Sequence, residues 1–393
     1  MIHDKIKDTI QDCNINFLLG SGLSLPYLKT LGSIESLLTE LENRDLDSEV
    51  KKIIRVSLYK KYFDEVIGKN PQILTPDVAV NVVLEQYHIF LKTMNSLLLK
   101  RKVTLLSKEV NIFTTNVDIF LEKTLEDLGL EYNDGFNGRF KPKFSLSNFK
   151  KSHFKKSLHY DNTAELPIFN LLKLHGSLSW EVYGKDVVFS SDLKHVKEVA
   201  SKTIASDHIL DVPADATIET LIVEANGKIA DASMDAFMEA YEKLLIVVNP
   251  TKEKFKHTLM NQTYYELLRL YSNELEKENT VLFVMGFSFA DEHIREITLR
   301  AANSNPTLMI YVVAHTSKAK AEIEASFGEN NIKNNNIEII APEQKGVSED
   351  SATDRFEYDF DHINKEIFDR VLEAVDSDDI VPENTGAPIV EPD

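Results

Sequence analysis

The chain reads as an α/β protein with a mostly parallel central sheet, and three features carry that reading. Short, almost wholly apolar runs recur along it: Ile15 to Leu19, Val110 to Phe113, Ile168 to Leu174, Leu244 to Val248, Val281 to Met285 and Leu308 to Val313. Strands covered on both faces have this near-continuous apolar character. Between them lie stretches with apolar residues three and four apart, such as Ile34, Leu37, Leu38 and Leu41, the spacing of one helix face. Four of the runs then stop at polar loops: Gly20-Ser21-Gly22, Thr115-Asn116-Val117-Asp118, His175-Gly176 and Gly286-Phe287-Ser288. In a parallel sheet such loops gather at the carboxyl edge, where ligands bind.

In chain order, Ile2, Ile6 and Ile10 predict an opening amphipathic helix. The first strand ends at the glycine turn and a helix follows, an arrangement that presents backbone N–H groups to a phosphate. Residues 45–108 are helical and charged, with Tyr59, Tyr62, Phe63, Tyr87, Phe90 and Leu91 on apolar faces; they read as a helical insertion interrupted near Pro71 and Pro76. A helix carrying Phe120, Leu121, Leu125 and Leu128 follows the Asn116 loop. Tyr132 to Asn162 is polar and aromatic without clear period and reads as a long loop over the strand ends. A second insertion, residues 185–242, mixes charged helix-like runs with Pro213 and Gly227, and Tyr264 to Leu275 is strongly helix-periodic. These elements make one domain over residues 1–345. The acidic extension 346–393 has one short helix expected at Ile367 to Val375, and Asp376 to Asp393 reads as disordered.

Composition narrows the function classes. With 43% hydrophobic and 27% charged residues over 393 positions, the chain is an ordinary soluble globular protein with room for a large core. A net charge of −19 argues against a general nucleic-acid surface. Lys141, Lys143, Lys150, Lys151, Lys155 and Lys156 form a local basic run, whose ordinary reading is a solvated loop. Cys13 is the sole cysteine, so neither a disulfide framework nor a cysteine-rich zinc site is expected, and a cytoplasmic setting fits. The first twelve residues carry Asp4, Lys5, Lys7 and Asp8 and lack the apolar core of a signal peptide. No run approaches the roughly 20 apolar residues that span a bilayer.

Each polar loop has a functional reading and a plainer one. Gly20, Ser21 and Gly22 permit close approach of a pyrophosphate, yet tight turns use the same residues. Ser24 offers a hydroxyl donor or a local cap. The Asn116 amide can both donate to and accept from ribose hydroxyls, and the Asp118 carboxylate can accept from a carboxamide. On spacing alone, capping the helix near Ile119 is the stronger reading for Asp118. His175 beside Gly176 has a ring open to a ligand and is of the residue type suited to a general base, while the plainer reading of a lone histidine is an ordinary polar residue.

Together, GSGLS, FTTNVD, KLHGS and GFSFADEHI resemble the sirtuin superfamily, and specifically its divergent bacterial antiphage-defence branch. The resemblance spans most of Asn14 to Ala314 outside the two insertions and implies a Rossmann-like fold. It implies that Gly20, Ser21 and Gly22 cradle the pyrophosphate of NAD, and that Asn116 and Asp118 handle the nicotinamide ribose and carboxamide; Ser24 and Thr115 beside them are further candidates for cofactor contact. It further implies His175 as the base beside Gly176, with Gly286 and Ser288 at the adenosine half. Two departures matter. Protein-deacylating sirtuins carry a four-cysteine zinc module that one cysteine cannot supply, and Thr115 stands where they have glutamine.

The implied activity is therefore metal-free hydrolysis of NAD to ADP-ribose and nicotinamide, with Asn116 and His175 catalytic, depleting NAD during infection. The implied partners are copies of the chain itself and a hexameric HerA-type ATPase, with no direct nucleic-acid binding and no membrane. An unrestrained enzyme of this kind would be toxic, so a gate is expected, the 132–162 loop being its first candidate. An NAD-dependent deacylase and a non-catalytic NAD- or ADP-ribose-binding subunit remain open; NAD consumption without an acyl-lysine peptide separates them.

Overall fold

The first apolar residues form α1 (Ile2–Asp12), which sets Ile6 and Ile10 into the core before the chain enters β1 (Asn14–Leu19). The structure is a computed structural model that describes residues 2–30, 32–103, 105–249, 258–328, 333–342 and 357–379. The glycine turn does not lead straight into an α-helix: a 3-10 turn, Ser21–Ser24, comes first. Then follow α2 (Ile34–Glu42), α3 (Ser48–Tyr62) and α4 (Val78–Leu99), with Asp47 and Asp77 capping the last two by accepting backbone N–H groups. β2 (Glu109–Thr114) leads through the Asn116 loop to α5 (Phe120–Asp127).

Five short strands come next: β3 (Tyr132–Asn133), β4 (Phe136–Asn137), β5 (Lys143–Phe144), β6 (His153–Lys156) and β7 (Thr163–Leu166). After β8 (Ile168–Lys173) come β9 (Trp180–Tyr183), β10 (Asp186–Phe189), α6 (Lys194–Ala200), α7 (Ile218–Ala225) and α8 (Ala232–Leu244). The chain continues with α9 (Thr258–Leu275), β11 (Thr280–Met285), α10 (Glu292–Ser304), β12 (Leu308–Val313), α11 (Ser317–Phe327) and β13 (Ile337–Ile340). It closes on α12 (Phe360–Ile363), a π-helical turn Asn364–Asp369 and α13 (Arg370–Asp379).

Seven strands make the central sheet in the order β13-β12-β11-β1-β2-β8-β3. Every pairing in it is parallel. The chain builds outward from β1 on one side through β2 and β8, then returns to lay β11 on the other. That reversal puts the topological switch between β1 and β11, the place where such sheets open a ligand crevice.

Alternate residues of each strand feed two cores. Ile15, Phe17 and Leu19 face α1, α4 and α13. Leu18, Phe113, Leu172 and Val284 face α9, α10 and α11. Each fully buried Leu or Phe contributes about 1.5–3 kcal/mol, so the sheet is held mainly by these two layers.

One row breaks the apolar pattern. Asn16, Asn111, Asn170 and Asn133 are register partners on adjacent strands. Asn111 Nδ2 donates to Asn16 Oδ1 at 2.8 Å, Asn170 to Asn111 at 2.9 Å, and Asn133 to Asn170 at 2.9 Å. Slipping any strand by one residue would leave buried amides unpaired, so the row pins the register.

Three expectations need correction. Tyr132 to Asn162 is not a long loop: β4 and β5 join β9 and β10 in a small antiparallel sheet, while β6 and β7 pair as a ribbon. Phe136 and Phe144 pack on Trp180 with centroids 6.0 and 4.9 Å away. Two-residue strands leave no periodic run to read, and β5 joins the rest of its sheet through Lys143 opposite the distant Val188. Leu244 to Val248 is not a sheet strand. Leu244 ends α8, and the buried residues after it make a single antiparallel bridge, Val247 to Gly176. A short buried apolar run reads alike in either case.

The C-terminal helix is also longer than expected. It begins at Phe360, runs to Asp379, past the Asp376 at which the composition predicts disorder, and sets Phe368 against Phe17 and Phe90 at 5.9 and 5.6 Å. Residues 343–356 and 380–393 of the acidic extension lie outside the described residues.

Candidate active site

The crevice at the switch point is closed from below by glycine against glycine. Gly20 N–H donates to Met285 O at 2.9 Å and Gly22 N–H to Gly286 O at 3.0 Å. A Cβ on Gly20 would lie 2.3 Å from Gly286 O, so only glycine lets the two turns approach. These two N–H groups are thus engaged within the protein. Ser21 is half-buried on the first turn, and Ser288 is exposed on the second.

Next to this contact stands the Asn116 loop. Thr114 Oγ1 accepts the Asn116 N–H at 3.0 Å, and the Thr115 N–H reaches Leu19 O at 3.4 Å, fastening the loop to β1 and β2. The Asn116 side chain is 5% exposed; its Nδ2 donates to Gly20 O at 3.1 Å and lies 3.4 Å from Ser24 Oγ. Those two acceptors set the amide's orientation, because a flipped amide would press oxygen on oxygen. Among the described residues, no group pairs with Asn116 Oδ1. A buried carbonyl oxygen of this kind suits a ligand hydroxyl or water, so the residues present fit a ribose.

Asp118 takes the plainer of its two sequence readings at the head of α5, and it also binds a protein hydroxyl. Its Oδ1 accepts the Phe120 N–H at 3.1 Å at the head of α5, while Oδ2 accepts the Ser24 hydroxyl at 2.8 Å. Tyr87 Oη lies 3.2 Å from Ser24 Oγ. Burial, reinforced by Asp118, pushes the Tyr87 phenol well above its usual range and the neighbouring Tyr62 up as well. Tyr87 therefore stays protonated and donates to Ser24, whose own proton goes to Asp118. Both tyrosines come from the helices between β1 and β2, where their apolar neighbours disguise them as ordinary core.

His175 follows β8 and keeps an accessible edge. Its Nε2 lies 3.0 Å from Asp291 Oδ2, and the Tyr264 ring is 6.3 Å from its own. Asp291 Oδ1 meanwhile accepts the His293 and Ile294 N–H groups, capping α10. The His175 carbonyl accepts the Val248 N–H at 2.9 Å. Gly176 has φ +78°, and a Cβ there would lie 2.2 Å from Ile246 O, so glycine is required for that clamp. Asp291 is the partner that sequence reasoning missed. It lies within GFSFADEHI, where an aspartate heading a helix reads as a cap, and nothing local points to a histidine 116 positions earlier.

The structure thus brings Gly20, Gly22, Ser24, Asn116, Asp118 and Gly286 together, and adds His175 through Asp291 on the helix after the second turn. Among the described residues, no group of three His, Cys, Asp or Glu side chains is placed to hold a metal, and no helix is long and apolar enough to cross a membrane.

A parallel sheet with its switch at β1 and β11, covered by helices and bearing polar residues at adjoining strand ends, defines a Rossmann-like α/β protein. The SIR2-like domain family matches the chain over residues 110–340, more than half its length. The chain belongs to that family, and with it to proteins of NAD-related, sirtuin-type function. The match opens at β2, so the first glycine turn and α1 to α4 lie outside it. No curated protein matches the chain.

Proposed function

We propose that this protein hydrolyses the nicotinamide–ribose bond of NAD, releasing nicotinamide and ADP-ribose. The observation that carries the reading is the buried Asn116 Oδ1, held beside Gly20 and the switch-point crevice without a protein partner among the described residues. In the reaction the bond from ribose carbon to nicotinamide nitrogen breaks, a bond from that carbon to water oxygen forms, and one water proton is released. Asn116 orients the ribose and the incoming water, which shortens the search for a productive geometry. With Nε2–H directed to Asp291, Nδ1 is the basic nitrogen of His175 and receives the proton. Asp118, fixed by Ser24 and Phe120, meets the carboxamide. Because the Gly20 and Gly22 N–H groups are engaged, the pyrophosphate falls to Ser21, with Ser288 at the adenosine half.

Hydrolysis is favoured over deacylation because one cysteine cannot build the zinc module and Thr115 replaces glutamine in the loop. In this reading the enzyme depletes NAD in antiphage defence, in the cytoplasm, as a homo-oligomer joined by a HerA-type ATPase. Time-resolved detection of nicotinamide from NAD tests it, using the chain alone, with that ATPase, and with an acyl-lysine peptide. Release without peptide supports the hydrolase. Release only with peptide makes it a deacylase, and binding without release makes it a sensor.

A further inference from the structure

Behind the Asn116 loop lies a buried ionic cluster that none of these steps uses. Lys173 ends β8 and is 3% exposed. Its Nζ is 3.3 Å from Asn116 O, donates also to Asp118 O, and stands 3.0 Å from Glu122 Oε2 on α5. The Glu122 approach is a charge contact without hydrogen-bond alignment. The other Glu122 oxygen accepts the Ser177 hydroxyl at 2.9 Å. The remaining loop carbonyl, Val117 O, accepts the Leu178 N–H at 2.9 Å. Three successive carbonyls of the Asn116–Asp118 loop are therefore held by the segment that carries His175.

An ammonium is costly to bury unless it is paired and fully bonded. Adhesion alone would be served by an apolar side chain, as at the buried neighbours Leu172 and Leu174. What a lysine adds is a charged point donor that bonds two loop carbonyls while it faces a carboxylate.

We propose that Lys173 is a positioning residue that locks the Asn116 loop to the His175 segment, with Glu122 as its counter-charge. Asn116 and His175 then meet one substrate in a set geometry. The catalytic consequence rests on the hydrolase reading above; the clamping of the loop does not.

The test compares Lys173→Met, the double variant Lys173→Met/Glu122→Leu, and Lys173→Arg. Thermal unfolding, kcat and KM for nicotinamide release, and amide hydrogen exchange at Asn116, Ile119 and Phe120 are measured on each. Those amides are held by Thr114 Oγ1, Asn70 Oδ1 and Asp118 Oδ1. Lys173→Met should lower the midpoint by stranding Glu122, and the double variant should recover it because no unpaired charge remains. In the double variant kcat should nevertheless stay about 100-fold down with KM little changed, and the three amides should exchange faster.

A double variant with wild-type kcat, or with wild-type exchange at those amides, overturns the proposal and leaves Lys173 a structural residue. A folded wild type that releases no nicotinamide removes the hydrolase reading only, and the exchange rates then decide for Lys173. If the double variant does not fold, Lys173→Arg decides. It keeps the charge but not the point geometry, so reduced kcat and faster exchange support the clamp, while wild-type values for both refute it.

Discussion

Strands β1, β2 and β8 carry polar side chains at two levels, an asparagine row within the sheet and the loop residues at their carboxyl ends. In the row, Asn16, Asn111 and Asn170 each pass a hydrogen bond to the next strand, and none of their side-chain oxygens lacks a donor. At the strand ends Asn116 has both amide donors directed at protein acceptors and its oxygen at none among the described residues. The same residue type therefore does opposite work. A saturated amide row specifies which strand lies beside which, whereas a buried amide oxygen without a donor still has a hydrogen bond to make.

The sharpest way to break that comparison is to remove the strand-end side chains. Asn116→Ala and His175→Ala should each lower kcat for nicotinamide release by about 1,000-fold, with the unfolding midpoint little changed. Normal turnover in either folded variant takes that residue out of the mechanism.

The converse change lies within the row. Asn111→Leu deletes bonds to Asn16 and Asn170 and strands a buried oxygen and a buried amide hydrogen. It should cost about 3 kcal/mol of stability by urea denaturation, with kcat per folded molecule unchanged. A neutral substitution would mean that the apolar layers alone set the register.

Asp291→Asn probes the join between site and scaffold. Asparagine caps a helix as well as aspartate does, so α10 should survive. The loss of a charged hydrogen bond to His175 should reduce kcat about tenfold. Unchanged kcat would show that the backbone clamp at Val248 suffices to orient the ring.

The smallest effect is expected at Asp134, which belongs to neither level. Burial pushes its carboxyl up to about 6, and the Phe136 N–H bond only partly opposes this. Between about pH 4 and pH 6 the folded chain keeps a proton that the unfolded chain has released, so this group makes stability fall as pH rises through that window. Asp134→Asn should remove that fall and stabilise the protein by about 1–2 kcal/mol at pH 7. Denaturation curves at pH 4.5 and 7 check it, and a gain equal at both values would assign the effect to something other than ionisation.

Strands and helices were legible locally because their causes are local. Five of the six apolar runs became strands of the sheet, since strands covered on both faces need unbroken apolar character. The sixth, at Leu244 to Val248, has the same composition but serves as a buried clamp on Gly176. The four polar loops were legible because each interrupts an apolar run, and a parallel sheet collects such interruptions at one edge.

What the sequence determined by itself was this alternation of apolar runs, helical periods and polar strand ends, together with the cysteine count that rules out a cysteine-rich zinc module. Tertiary structure alone decided the pairings across distance. It set Gly20 against Gly286, His175 beside Asp291, Tyr87 above Ser24, and Lys173 under two carbonyls of a loop it does not belong to. The reason is physical: periodicity records which face of an element is buried, but not which element covers it. Hydrogen bonds between side chains far apart in the chain exist only after the sheet order has brought their strands together.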